Sequence, residues 1–187
     1  PASQKAAAER NLPGYAGESI RGNLQTRLEK LDSGEYSALV LAAAGLKRLG
    51  LENRISRYFD TEEMIPAAGQ GILAVQGIDG LDYEFLKGYD DLQAHQAATA
   101  ERAFVKYLNG GCSSPIAAYA EIRNGKLLLC GLYYQETTGI YKKGQIEGMP
   151  EDAETIGMLL AERLKRECHA QSCTAAKEND IKPGKVW

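Results

Sequence analysis

A chain of 187 residues that is 44% apolar, 25% charged and 7% aromatic has the composition of a folded protein of one or two domains, which excludes disorder as its main state. Its formal charge of −3 argues against a nucleic-acid partner, because neutralising phosphates takes a dense basic face. No apolar run reaches the roughly 18 residues that a membrane helix needs, and the first thirty residues carry acids, bases and Pro13 in place of an apolar signal segment. The expectation is a cytoplasmic chain with no membrane partner and no signal peptide. The charges are unevenly spread: residues 1–60 hold nine Lys and Arg against seven Asp and Glu, and the remainder is acidic. A local anion site and ordinary scatter of solvated charges both fit that count.

In chain order, the alanine-rich Gln4 to Asn11 predicts a short helix that stops before Pro13-Gly14. Leu24, Leu28 and Leu31 fall on one face of a second helix that closes at Ser33-Gly34. Tyr36 to Ala42 is nearly continuous in apolar residues, the pattern of a strand buried on both faces of a parallel sheet, and Ala43 to Leu49 turns helical. Pro66-Ala67-Ala68-Gly69-Gln70-Gly71 predicts a crossing or hinge, followed by another buried strand at Ile72 to Val75.

After a turn at Asp79-Gly80, a long helix is expected from Asp91 to Leu108, ended by Asn109-Gly110-Gly111. Ile116 to Glu121, Lys126 to Tyr134 and Ile140 to Ile146 read as an antiparallel meander, joined by Arg123-Asn124-Gly125 and Thr137-Thr138-Gly139. Pro150-Glu151-Asp152 opens a helix running to Arg166, and a polar tail follows from His169. The expected fold class is therefore α/β plus α+β. A partial α/β domain covers residues 1–78, a three-stranded antiparallel sheet with helices covers 79–168, and a tail covers 169–187.

Four cysteines, Cys112, Cys130, Cys168 and Cys173, are too sparse for a disulfide scaffold and read as thiols. Cys112 follows two glycines and precedes Ser113-Ser114-Pro115 on a loop between helix and strand. It is either a reachable nucleophile, activated by neighbouring cations, or a buried structural cysteine. Arg21 at a helix entrance, Arg27 within that helix and Arg48 further on can converge as guanidinium forks on carboxylates, or can be plain surface charges. Cys168-His169 with Cys173 lacks a fourth ligand and the spacing of a zinc module, so no metal is expected. His95 reads as a structural or surface histidine, and no phosphate loop or dinucleotide fingerprint occurs.

Six segments together carry a resemblance. They are Ile20-Arg21-Gly22-Asn23 with Thr26-Arg27-Leu28, Leu31-Asp32 with Gly34-Glu35-Tyr36, LAAAGLKRLG at 41–50, PAAGQG at 66–71, Ala100-Glu101-Arg102-Ala103, and GGCSSPIAAY at 110–119. In these the chain resembles porphobilinogen deaminase (hydroxymethylbilane synthase) from about residue 13 to 168.

The resemblance implies a transferase of tetrapyrrole, hence heme and porphyrin, biosynthesis. Such an enzyme joins four porphobilinogen molecules into hydroxymethylbilane with release of ammonia. The implied cofactor is a covalent dipyrromethane held as a thioether on Cys112, and Arg21, Arg27 and Arg48 take the acetate and propionate groups of porphobilinogen and the growing oligopyrrole. Also implied are two periplasmic-binding-protein-like α/β domains and a third, cysteine-bearing domain. Most of the first would lie before residue 1, with its catalytic aspartate. No catalytic residue is identified in this chain, and on this reading it is inactive without that N-terminal portion, its expected partner. Exposed sheet edges would favour self-association.

The sequence departs from the family pattern at Ser3 and Gln4, where a pair of arginines is expected, and at Ile78, where a basic residue is common. The alternative reading is a non-catalytic tetrapyrrole-binding module or degenerate paralogue.

Overall fold

The computed structural model describes residues 17–110 and 114–179, with side chains described to residue 171. They divide into two compact units, one ending at Met64 and the other beginning at Ile65. The helix expected at Gln4 to Asn11, together with Ser3, Gln4 and Cys112, lies outside the described residues.

In the first unit, helix α1 (Leu24–Asp32) begins at Asn23, whose side chain accepts the Thr26 N–H, and closes at Ser33 before Gly34 at φ +81°. This satisfies one orphan donor of the first turn and supplies the left-handed residue at the end. Helix α2 (Ala43–Arg48) presents Gly45 to the Leu24 side chain, where a methyl on Gly45 would stand 3.5 Å from Leu24 Cδ2. Leu28 and Leu46 are the buried residues of the two helices.

The strands expected at Tyr36 to Ala42 and Ile72 to Val75 do not form among the described residues. An apolar run becomes a strand only when a neighbour completes its ladder. The single described sheet is the three-stranded one of the second unit. Without a ladder partner Leu73 and Val75 stay 82% and 72% exposed.

The second unit follows the expected α+β plan closely. Helix α3 (Leu92–Tyr107) is capped by Asp91, whose carboxylate accepts the N–H groups of Gln93 and Ala94. Strands β1 (Ala117–Arg123), β2 (Lys126–Gln135) and β3 (Ile140–Gly148) form an antiparallel sheet in the order β1-β2-β3. Asn124 at φ +52° and Gly125 at φ +77° form the two-residue turn of the first hairpin and pair Arg123 with Lys126.

A 3-10 turn at Pro150–Asp152 leads into helix α4 (Ala153–Asn179). The helix therefore continues past Arg166 and through the first part of the expected tail, without a break at Cys168-His169. Phe104, Leu127, Leu129, Leu160 and Leu164 are fully buried between α3, α4 and one sheet face. Two glycines permit this packing: a methyl at Gly157 would strike the Ala100 carbonyl oxygen, and one at Gly131 would sit 2.6 Å from the Phe104 ring. Among the described residues, no helix is long and apolar enough to cross a membrane.

Candidate functional site

The cationic candidates lie around the start of α1. Gly22 has φ +118°, and a methyl there would meet the Thr26 side chain at 3.1 Å, so the entrance to the helix requires glycine. Asn23 Oδ1 accepts both the Thr26 N–H at 2.8 Å and the Thr26 hydroxyl at 3.0 Å. Arg27 Nε donates to the Gly22 carbonyl at 2.9 Å. The bond folds the half-buried Arg27 side chain back over the entrance occupied by Arg21. The Leu24–Gly45 contact joins the faces that carry Arg27 and Arg48, each three residues further along its own helix.

Charge pairing separates these arginines from their neighbours. The described part of the first unit holds seven Lys and Arg. Lys30 pairs with Glu35, Lys47 with Glu52, Arg54 with Asp32 and Arg57 with Glu63. The Lys30 and Lys47 ammonium groups are held above the usual lysine range, first by hydrogen bonds to Glu35 and Glu52 and then by the charges of those acids. Arg21, Arg27 and Arg48 have no carboxylate partner among the described residues. Three guanidinium groups without an internal counter-ion are what a ligand bearing several carboxylates would use.

The segments on either side of Cys112 come from the end of α3 and the approach to β1. Asn109 (φ +54°) and Gly110 end α3, with Gly110 N–H bonded to the Val105 carbonyl at 2.9 Å. A methyl on Gly110 would stand 2.8 Å from Ile116 Cδ1, so the two flanking segments lie against each other. Pro115 and Ile116 on the returning arm are buried.

The other thiols differ in character. Cys130 and Cys168 are buried and outside any disulfide. Burial pushes the Cys168 thiol up, which suppresses the thiolate. Cys168 faces the core and His169 faces solvent on consecutive positions of α4, so they do not converge on one ion. No group of three described His, Cys, Asp or Glu side chains could hold a metal. His95 and Ile78 are exposed.

One residue was missed as a site candidate. Glu101 is only 4% exposed; its carboxylate accepts the Gly69 N–H at 2.6 Å and the Ala120 N–H at 2.8 Å. Burial raises its carboxyl pKa, and the two backbone bonds oppose that rise. The available signal was an acid at a core position of α3, in line with the buried Ala97, Phe104 and Leu108.

Comparison with known sequences matches residues 2–82 to the family model "Porphobilinogen deaminase, dipyromethane cofactor binding domain", and residues 95–166 to "Porphobilinogen deaminase, C-terminal domain". Arg21, Arg27 and Arg48 fall in the first match, and Glu101 and Cys112 in the second. The porphobilinogen deaminase of Ruminiclostridium josui is 52% identical over 154 residues, 82% of this chain and 53% of that protein. That of Alkaliphilus oremlandii is 53% identical over 150 residues, covering 80% and 50% respectively. That of Coxiella burnetii is 46% identical over 155 residues, covering 81% and 50%. The chain thus spans about half the length of the curated relatives it matches. The family's cofactor is dipyrromethane, and its place is in tetrapyrrole biosynthesis. With two models of one family matched in sequence along most of its length, and relatives near half identity, the chain belongs to the porphobilinogen deaminase family.

Proposed function

We propose that this chain is part of a hydroxymethylbilane synthase, which condenses four porphobilinogen molecules and releases ammonia, and that it supplies the carboxylate-binding and cofactor-anchoring share of that enzyme. The observation that carries the reading is that Arg21, Arg27 and Arg48 have no carboxylate partner among the described residues, whereas the four other described cations of that unit are all paired. Each pyrrole unit brings two carboxylates, and a bidentate fork matches each better than an ammonium does. The donor set therefore fits an oligopyrrole. Arg27, steadied through Nε, keeps its terminal nitrogens directed to a ligand, while the exposed Arg21 and Arg48 take up the carboxylates of further rings.

Cys112 is the anchor. Its sulfur would hold the dipyrromethane as a thioether to a pyrrole methylene. When bound, the dipyrromethane supplies an electron-rich pyrrole carbon at which the chain is extended. Acid–base chemistry is left to the N-terminal portion, so this chain alone is inactive.

The domain division follows from the same reading: 1–78 as part of a periplasmic-binding-protein-like α/β region and 79–168 as the cysteine-bearing domain, whose last helix runs on to Asn179. The exposed Leu73, Val75 and Ile78 support pairing of residues 72–78 with that N-terminal portion, or with a second copy in its absence. The cytoplasm is the compartment that suits such a biosynthetic enzyme.

Intact mass tests the reading. After co-expression with the N-terminal half of a relative, the peptide containing Cys112 should carry two pyrrole units. An unmodified Cys112 under those conditions would leave only a degenerate, non-catalytic relative, a reading that the Ser3 and Gln4 departures favour.

A further inference from the structure

The segment Ile65 to Gly71 crosses the free edge of β1. Ile65 packs with Ala117, Cys130 and Leu132 on one sheet face, and Ala68 packs against the core on the other. Between them the Pro66 carbonyl accepts the Ala118 N–H at 3.2 Å. Ala118 and Ala120 both direct their N–H groups outward from this edge strand, since alternate residues of a strand share one orientation. The second outward donor, Ala120 N–H, is taken by Glu101 Oε1, and Glu101 Oε2 takes the Gly69 N–H of the crossing turn. One carboxylate from α3 therefore holds both the edge of β1 and the turn that wraps it.

Helix α3 leads into the loop that contains Cys112, and β1 leads out of it. Glu101 and Ala120 form one rung between the two arms, and Gly110 against Ile116 forms another nearer the loop. We infer that Glu101 is a positioning residue that ties the crossing turn to α3 and β1, the two elements that flank Cys112 in the chain, as one frame. Its part in anchoring rests on the reading of Cys112 given above. A buried carboxylate that contributes only packing or charge would not need two acceptor oxygens committed to donors 51 residues apart in the chain, Gly69 and Ala120.

The decisive measurement is residue-resolved amide exchange on the full chain, unaltered and with Glu101→Gln. Glutamine keeps the shape, offers one acceptor oxygen and turns an NH2 group against the other donor. Exchange at Gly69 or Ala120 should rise about tenfold or more, while core amides such as Leu129 and Leu160 keep their protection. No change at either amide would overturn the inference, and so would equal acceleration throughout.

If Glu101→Gln does not fold, Glu101→Asp is measured in the same way, and failure of both variants to fold makes Glu101 a plain core residue and overturns the positioning role. Loading of Cys112 in the co-expressed chain gives the functional readout. If the unaltered chain is loaded, Glu101→Gln should be loaded several-fold less, and equal loading overturns the inference. An unaltered chain that is never loaded sinks the anchoring reading instead, and amide exchange alone then decides the clamp.

Discussion

The arginines can be told from structural charges by what their removal leaves undisturbed. Arg21 and Arg48 make no ion pair among the described residues and are exposed. Replacing either by Gln should therefore change unfolding free energy by less than about 0.5 kcal/mol. The same substitutions should weaken binding of an oligopyrrole carboxylate about tenfold or more, because a charged hydrogen bond is lost. Calorimetric unfolding and a titration with linear tetrapyrrole check the two halves, and a large loss of stability without a loss of affinity would make these residues structural.

Glu101 behaves in the opposite way. Burial raises its folded-state carboxyl pKa above the unfolded value despite two N–H bonds. The folded chain then binds this proton more tightly than the unfolded chain. That contribution to stability is complete below the unfolded pKa and is lost as pH rises through the folded value. Glu101→Gln should remove this component from stability curves measured across the acid range.

At the scale of elements, small residues set how closely the layers approach. Gly157 on α4 lies against the Ala100 carbonyl and Ala103 of α3, and the positions are held by helix backbone that cannot yield locally. Gly157→Ala should cost about 1–3 kcal/mol, read from denaturant midpoints. Loss of the Asn23 cap in Asn23→Ala should cost α1 about 1 kcal/mol, and should also loosen the entrance where Arg21 and Arg27 sit.

Much of this local architecture was legible in the chain itself. Asp91, Asn109-Gly110 and Asn124-Gly125 mark the ends of α3 and the turn between β1 and β2 through side-chain caps and left-handed residues, which act over a few positions. The strands read at Tyr36 to Ala42 and Ile72 to Val75 failed for the converse reason. Their apolar runs state a need for burial but not who satisfies it.

For the whole molecule, the contrast between the two units carries a prediction. The second unit buries Phe104, Leu127, Leu129, Leu160 and Leu164 in one continuous core. The described part of the first has two short helices, and its other ordered links are mainly exposed ion pairs, each worth little. Amides of residues 17–64 should thus exchange faster than those of α3, β2 and α4 when the chain is studied alone. Addition of the N-terminal half of a relative should slow exchange in residues 72–78. Uniform protection across both units of an isolated monomer would contradict the first expectation.

By itself, the amino-acid order determined the family, the helix caps, the meander and the identity of three arginines worth watching, because motifs, periodicity and turn chemistry are properties of neighbouring residues. Only the tertiary structure decided that those three are the described arginines of the first unit without a carboxylate partner, that Cys168 and His169 point apart, and that Glu101 joins Gly69 to Ala120. Each of these depends on which distant groups meet in space, and pairing of a charge or satisfaction of a buried acceptor is settled by that meeting.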